Sequence, residues 1–247
     1  MKKINELLTI LIIIASSSAM AGVHYYWDDG VSHTIDYSDP WVSVVYLDSN
    51  IANDPGTHLD VTGNGEIGTL LMYNNSTATI NGVVVGTIYA RDYSIVNIIG
   101  SVYESNVCAY GNSRVNISGG NVGVIYANNS STVYMSGGTT QSSISVRQDA
   151  ILYLVGINFS IKDSEGNIIS LSYGDKLSDY TGCYDDGTGL HYYGTVWGDF
   201  ADGGWMSSKF RIYNTGDYDG IADIIIIPEP ATLALFGLGT LLLRRKK

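Results

Sequence analysis

The sequence predicts an all-β protein built on a single-stranded parallel β-helix, or β-solenoid, of about six rungs of 18–19 residues, with small β caps at both ends. Three observations predict this fold: a glycine that recurs at that spacing, apolar residues in fixed columns before each glycine, and a composition with 29 Gly but only 15% charged residues. Such a composition is typical of β structure with many tight turns. The recurring glycines are Gly63, Gly82, Gly100, Gly119, Gly137 and Gly156.

Apolar columns define two strands in each rung. Because alternate residues of a strand face the same side, columns two residues apart predict one buried strand face. Two and four residues before the glycines stand Val61, Ile80, Ile98, Ile117, Met135 and Leu154, and Leu59, Ala78, Val96, Val115, Val133 and Leu152. Ten and twelve residues before the last five glycines stand Met72, Ala90, Ala109, Ala127 and Val146, and Leu70, Ile88, Val107, Ile125 and Ile144. A third and weaker inward position is occupied by Ile67, Val85 and Val122.

A polar corner separates the two strands of a rung. Its central column reads Ser76, Ser94, Ser113, Ser131 and Ala150, and Asn, Asp and Gly residues surround it. These residue types tolerate left-handed backbone conformations and form Asx turns, so we expect the chain to bend here in every rung. Ser or Asn side chains in the same column can also form hydrogen bonds to one another from rung to rung.

A repeat of this length with two or three short strands predicts a stack in which each coil pairs with the next, and six coils at ~4.8 Å each reach ~29 Å. A calcium-binding nonapeptide roll has a similar period but needs Gly-Gly-x-Gly-x-Asp, which the repeat lacks. In a left-handed hexapeptide helix the inward columns would be evenly six apart, and here they are not. A right-handed helix is favoured, and an ordinary antiparallel sandwich is the alternative.

The patterns divide the chain into five segments. Residues 1–21 form a signal peptide, 22–58 an N-terminal β cap, 59–161 the solenoid, 162–227 a C-terminal β cap and 228–247 a tail. We expect the N-terminal cap to be a hairpin or strand that covers the first rung, because an open solenoid end exposes unpaired amides. The C-terminal cap consists of short apolar pieces broken by Gly and Asp.

The N-terminus has the order of a secretory signal peptide. Lys2 and Lys3 precede an apolar run from Leu7 to Ala15, and Ala19 and Ala21 provide the small residues of a cleavage site after Ala21. The interpretation implies export through the Sec machinery. An uncleaved membrane anchor is the alternative.

Charge limits the partners of the exported part. Residues 22–227 hold seven basic and 22 acidic residues, a net charge of −15. Such a surface repels phosphate backbones and anionic lipid, so no nucleic acid partner is expected. The two cysteines, Cys108 and Cys183, are candidates for one disulfide, and two unpaired residues are the alternative.

The last 20 residues combine three features. Pro228-Glu229-Pro230 precedes an apolar run of 13 residues, Ala231 to Leu243, and the chain ends in Arg244-Arg245-Lys246-Lys247. As a helix the apolar run reaches ~20 Å, against ~30 Å for the hydrocarbon core of a bilayer. With basic residues behind it, the run is typical of a short stop-transfer element that inserts transiently into a membrane.

This tail closely resembles the PEP-CTERM sorting signal of bacterial exported proteins. The resemblance implies that Pro228, Glu229, Pro230, Arg244 and Arg245 belong to a signal recognised by an exosortase-type protease, which removes the tail near Pro-Glu-Pro. It also implies a protein of the cell surface or extracellular matrix that is transiently anchored by its C-terminal segment. The body, with Ile161-Lys162-Asp163, Tyr173-Gly174-Asp175, Gly194-Thr195-Val196-Trp197-Gly198 and Phe210-Arg211-Ile212-Tyr213 before the tail, resembles repetitive PEP-CTERM proteins of planctomycete-like bacteria.

Catalysis has to be weighed, because parallel β-helices include polysaccharide lyases and hydrolases. Such sites gather acidic residues, often with Arg or Lys, on one outward face. Arg91 and Arg147 share an outward column, but three rungs, or ~14 Å, separate them, which is too far to act on one bond. We therefore expect no catalytic residue, no cofactor and no enzyme activity.

A sugar-binding surface and a cation site are two further candidates, and the sequence supports each only weakly. Among the outward tyrosines, Tyr89 and Tyr126 are candidates for stacking on sugar rings, although tyrosines on a solenoid face more often cover neighbouring rungs. The acidic turns are Asp185-Asp186-Gly187, Asp199 with Asp202, and Asp217-Tyr218-Asp219-Gly220 with Asp223. The last resembles part of a calcium loop but lacks the later bidentate Glu, so solvated turns are favoured and no metal site is predicted.

The sequence thus predicts an exported, non-catalytic structural or adhesive protein, with exopolysaccharide as a candidate partner. The alternative is a polysaccharide-binding module or a polysaccharide-degrading β-helix enzyme.

Overall fold

The computed structural model describes residues 22–228, apart from residues 37, 40, 51–55, 64, 82–83, 101–102, 186–188, 201–202 and 215–220. The predicted signal peptide, with Ala19 and Ala21, lies outside the described residues. So does the tail beyond Pro228.

Seventeen strands and one 3₁₀ turn, Leu177–Asp179, are present in the described ranges. The strands are β1 (Val23–Trp27), β2 (Ser32–Ile35), β3 (Val42–Leu47), β4 (His58–Thr62), β5 (Glu66–Met72), β6 (Thr77–Asn81), β7 (Val84–Ala90), β8 (Ile95–Ile98), β9 (Tyr103–Ala109), β10 (Arg114–Ala127), β11 (Thr132–Arg147), β12 (Ile151–Lys162), β13 (Ile168–Ser170), β14 (Cys183–Asp185), β15 (Leu190–Phe200), β16 (Trp205–Asn214) and β17 (Asp223–Ile227).

The strands stack into two parallel ladders, which confirms the predicted β-solenoid. Sheet A consists of β1, β3, β5, β7, β9, the second halves of β10 and β11, and β16. Sheet B consists of β2, β4, β6, β8, the first halves of β10, β11 and β12, and β17. Each strand pairs with its equivalent one rung later, so every rung buries its apolar face only against its neighbours.

The two main pairs of predicted columns form the core between the sheets. Every residue in the columns two, four, ten and twelve before the glycines is at most 1% exposed. In the third position Ile67 and Val122 are also buried, whereas the side chain of Val85 lies outside the described set. The same core continues into the first rung through Val45 and Leu47, which pair with Leu70 and Met72.

The polar corner bends as predicted. In each rung from the second to the sixth, a main-chain hydrogen bond spans three residues, as from Ser76 N to Tyr73 O (3.1 Å) and from Ala150 N to Arg147 O (3.2 Å). The residue after the carbonyl is left-handed in all five turns, with φ between 50° and 66°. These left-handed residues are Asn74, Asp92, Gly111, Asn129 and Gln148.

Side chains in the stack bond in two different ways. Two corner serines donate to the main chain: Ser76 Oγ to Tyr73 O (2.7 Å), and Ser131 Oγ to Ala109 O of the previous rung (3.2 Å). The Ser94 hydroxyl is buried and has no hydrogen-bond partner among the described residues. One pair of asparagines does bond between rungs on sheet B, where Asn116 Nδ2 donates to Asn97 Oδ1 (2.8 Å). A serine side chain is short enough to reach the main chain of its own turn, as that of Ser76 does.

The ends of the stack continue the parallel pairing. β1 and β2 do not form a hairpin, because each pairs in parallel with the strand of the next rung, β3 and β4 respectively. At the other end the chain leaves the stack within β12, forms β13, β14 and β15, and returns as β16 and β17 to pair in parallel with β11 and β12. Antiparallel β15 then covers the outer edge of β16, which protects this end of sheet A.

Candidate functional site

A line of outward residues, four of them tyrosines, runs along the outer face of sheet A. The strand registers place one outward residue per strand on this line: Tyr26, Tyr46, Leu71, Tyr89, Cys108, Tyr126, Ser145 and Arg211. The first two rings stack, with centroids 4.4 Å apart and planes 3° apart.

The two predicted sugar-stacking residues lie on this line and share one depression. Tyr89 and Tyr126 are two rungs, or ~10 Å, apart, with Cys108 between them. With Tyr110, Asn128 and Arg147 they line a shallow depression of about 440 Å³, called here the aromatic groove. Tyr126 is 38% exposed, so part of its side chain is open to a ligand.

Cys108 forms the floor of the aromatic groove. It is a free thiol, 6% exposed, and burial raises its pKa to about 11. The thiol is therefore protonated at neutral pH and is a poor nucleophile. The side chain of Cys183 is not among those described.

Arg91 is held among tyrosine rings at one side of the groove. Its guanidinium carbon lies 5.5 Å from the centroid of Tyr73, 5.9 Å from that of Tyr89 and 5.7 Å from that of Tyr110. Burial also raises the pKa of Tyr110. These cation–π contacts fix the rings that border the groove.

A larger cleft of about 710 Å³ follows at the C-terminal end of sheet A. Its floor is made by the ends of β11 and β16, and its far wall by β15 and the turn after β12. Tyr126 and Arg147 line both the cleft and the aromatic groove, so the two form one continuous surface.

Basic side chains concentrate in this cleft. Arg147, Lys162, Lys209 and Arg211 line it, which is four of the seven basic residues between 22 and 227. We call these four, together with Tyr126, Tyr193 and Tyr213, the cationic cleft. In the part of the chain that the structure describes, the ion pairs are His33 with Asp29 and His58 with Asp60, so none of the four cations has a carboxylate partner there.

One carboxylate, Asp163, is found among the described lining residues of the cleft. Its oxygens accept hydrogen bonds from Glu165 N (2.9 Å), Asn167 N (2.8 Å) and Asn167 Nδ2 (2.9 Å). The hydrogen bonds from Asn167 hold the pKa of Asp163 below its ordinary value. Asp163 is thus used to close its own turn.

Tyr213 positions the two arginines of the cleft. The guanidinium carbon of Arg147 lies 4.1 Å from its ring centroid, and that of Arg211 lies 5.6 Å away. Arg211 Nη1 also donates a hydrogen bond to Tyr213 Oη (2.8 Å). Both planar guanidinium groups remain at the surface, where they can bind an anion through two parallel hydrogen bonds.

The other outward tyrosines serve to cover neighbouring rungs. Tyr134 and Tyr153 stack on the outer face of sheet B with centroids 4.8 Å apart, and Arg114 lies 4.6 Å above Tyr134. This is the packing role weighed for such residues in the sequence.

Most of the predicted acidic turns lie outside the described residues. Asp186, Asp202 and Asp217–Gly220 are not described, and neither is the side chain of Asp185. Asp223 is buried rather than part of a solvated turn: Ser178 Oγ donates to it at 2.6 Å, and burial raises its pKa. Asp199 accepts a hydrogen bond from Asn158. Within the described ranges no three His, Cys, Asp or Glu side chains converge in a way that could hold a metal ion.

The sequence did not point to Lys162, Tyr193, Lys209 and Arg211, because they follow the last repeat and share no column with it. One signal was available: five of the seven basic residues between 22 and 227 fall between Arg147 and Arg211.

The chain leaves the stack at the end of sheet B. β17 ends at Ile227, and Pro228 follows it directly. Of the five predicted sorting residues, Glu229, Pro230, Arg244 and Arg245 lie outside the described part of the chain. No helix within the described ranges is long and apolar enough to cross a membrane.

The fold defines the class: a β-solenoid protein with an outward groove on one sheet. Residues 227–247 match the family model of the PEP-CTERM protein-sorting motif. The tail of the chain therefore carries a PEP-CTERM protein-sorting motif, which implies an exported protein that is sorted through exosortase. Neither a search of curated proteins nor a search of solved structures gave a match.

Proposed function

We propose that this protein is a non-catalytic structural or adhesive component of the cell surface or extracellular matrix. The observation that carries the proposal is the continuous parallel pairing from β1 to β16 in sheet A and from β2 to β17 in sheet B, which joins strands of both caps to the six repeated rungs. A stack of this kind buries one continuous core along its length and offers long, regular outer faces. Together with the sorting motif, this favours a rigid exported element.

The carboxylates near the groove support a role without catalysis. Glycoside hydrolysis requires two carboxyl groups about 5–10 Å apart, one on each side of the bond. Among the described residues of the cleft, Asp163 alone carries a carboxylate, and hydrogen bonds from its own turn occupy it. The aromatic groove has none among its described lining residues.

The second candidate function is a polysaccharide-binding module. It is favoured by the partly exposed side chain of Tyr126 beside Tyr89 and by the continuity of the aromatic groove with the cationic cleft. Open tyrosine faces are typical contacts for sugar rings. Binding and a structural role are compatible, since an adhesive protein must hold something.

Cell fractionation tests the proposal. In a bacterium that carries an exosortase, the full-length protein is expected in the surface or matrix fraction, and its deletion is expected to weaken cell cohesion or matrix retention. Recovery in the cytoplasm alone contradicts the proposal. A normal matrix and normal cohesion in the deletion strain contradict the structural role while leaving export intact.

A further inference from the structure

We propose that the cationic cleft and the adjoining aromatic groove form one binding site for an acidic polysaccharide whose sugar rings carry carboxylates. The inference deepens the proposed function, because it names the ligand class that a matrix protein of this shape would hold.

The first argument is the absence of carboxylate partners for the cations. The chain has 22 acidic residues between 22 and 227, yet Arg147, Lys162, Lys209 and Arg211 pair with none of the described ones. Clustered like charges repel one another and destabilise the folded state. An anionic ligand that enters the cleft removes this repulsion, and charged hydrogen bonds to it add affinity.

The strand register supplies the second argument. Lys209 of β16 pairs with Thr195 of β15, and Thr195 pairs with Lys162 of β12, so the two lysines are two strands, or ~10 Å, apart on one face. Arg211 lies on the adjacent line and pairs with Tyr193. The positive charges therefore form a two-dimensional patch that can contact several anionic groups at once.

The length of the surface supplies the third argument. One outward line leads from Tyr89 through Cys108, Tyr126, Ser145 and Arg211 to Tyr193. These are five strand spacings, or ~24 Å. A path of this length accommodates several sugar units of an extended chain, with ring faces against tyrosines at one end and carboxylates against cations at the other.

The charge distribution selects a flexible glycan over other polyanions. Residues 22–227 have a net charge of −15 although four of their cations cluster in the cleft, so a stiff, densely charged duplex is repelled wherever it extends beyond the cleft. An acidic peptide can pair with the cations, but it has no sugar ring to stack on the exposed side chain of Tyr126. A polyuronate uses both parts of the site, and a neutral glycan uses only the tyrosines.

The test is calorimetric titration of the processed protein, recovered from the surface fraction, with oligogalacturonate. Matched probes are its methyl ester, polyglutamate of equal charge and single-stranded DNA. We expect oligogalacturonate to bind most tightly and to lose affinity as salt is raised. The double variant Lys209→Gln, Arg211→Gln is expected to lose at least about tenfold in affinity, since two charged hydrogen bonds are removed. Lys162→Gln alone is expected to lose less.

Arg114→Gln is the control, because it removes one positive charge on sheet B, away from the cleft, as Lys162→Gln does within the cleft. It should alter affinity less than about twofold, as expected for a distant exposed charge. Equal losses in the control and in the cleft variants, equal binding of polyglutamate, or no binding of oligogalacturonate would overturn the inference.

The same titration separates the inference from the proposed function. Release of unsaturated uronate during incubation would refute the non-catalytic role while upholding the binding site. If the protein is exported and holds the matrix together but does not bind oligogalacturonate, only the inference is refuted.

Discussion

The guanidinium carbon of Arg147 lies 4.1 Å from the ring centroid of Tyr213, across the pairing of β11 with β16. The two residues are 66 positions apart in the chain, because the excursion through β13, β14 and β15 lies between them. This contact joins the last repeated rung to the returning strand at the floor of the cationic cleft.

Tyr213→Ala is expected to weaken ligand binding by removing the ring that orients Arg147 and Arg211. Cation–π contacts at exposed sites contribute about 0.5–1 kcal/mol each, so an affinity loss of roughly three- to tenfold is expected. Titration with oligogalacturonate measures it. Tyr134→Ala, which removes a similar ring on sheet B, is the control. An unchanged affinity in Tyr213→Ala would show that the arginines do not depend on the ring.

Ile125→Ala tests the core of the stack. Ile125 is fully buried, and truncation of such a residue typically costs about 2–5 kcal/mol. The expected result is a clear fall in the urea midpoint of unfolding. Asn112→Ala, at an exposed corner of a neighbouring rung, should change stability by less than about 0.5 kcal/mol. Similar midpoints for both variants would contradict the packing described for sheet A.

Asp223 makes stability depend on pH. Burial raises the pKa of its carboxyl above the ordinary value of 3.8, so in the pH range between the two values the folded state binds more protons than the unfolded state. The unfolding free energy contributed by this group is therefore highest below pH ~4 and falls as pH rises through the raised pKa. Lys176 is the charged neighbour that opposes the shift.

Asp223→Asn should remove this contribution. Urea unfolding at a series of pH values is expected to show that the stability of the native protein, relative to that of the variant, declines as pH rises from about 4. Parallel stability curves for the two proteins would mean that the carboxyl titrates normally.

Cys108 is expected to resist alkylation in the folded protein. Its pKa of about 11, against an ordinary value of 9.0, lowers the thiolate fraction near neutral pH by about a hundredfold. Labelling followed by mass spectrometry should be slow in buffer and fast in urea. Cys108→Ser, which retains Cys183, shows which label belongs to which thiol. Rapid labelling of Cys108 in buffer would contradict its burial.

Glu229→Ala is expected to block processing of the sorting signal, since it alters the middle residue of Pro228-Glu229-Pro230 near the start of the matched motif. The protein should then keep its tail and accumulate in the membrane fraction with a larger mass than the processed form. A chain ending at Ile227 is the control and should be exported without retention. Normal processing of Glu229→Ala would show that the carboxylate is dispensable.

The sequence was informative wherever each rung repeats its neighbour. The columns that include Leu70 and Ile80 are buried as expected, because a solenoid core depends only on adjacent rungs and leaves a periodic signal. In the first rung the corner between Leu47 and Leu59 is six residues longer than that between Met72 and Ala78, so the equivalent positions fall out of register.

The candidate site was predicted only in part. Tyr89 and Tyr126 were identified from their outward column, but the cations that complete the surface come from three separate strands. Lys209 reaches the cleft because β16 returns to pair with β11, a contact between residues more than 60 positions apart. Nothing periodic marks such a pairing, since a single returning strand has no second copy with which to align.

Because β1 and β17 lie at opposite ends of the ladders, Val23 and Ile227 lie at opposite ends of the stack. Its eight levels of strands in sheet A span seven spacings, or ~34 Å. The stack therefore sets the distance between Val23 and Ile227. Duplication of one 18–19-residue repeat would lengthen it by about 4.8 Å while leaving the chemistry of both ends unchanged.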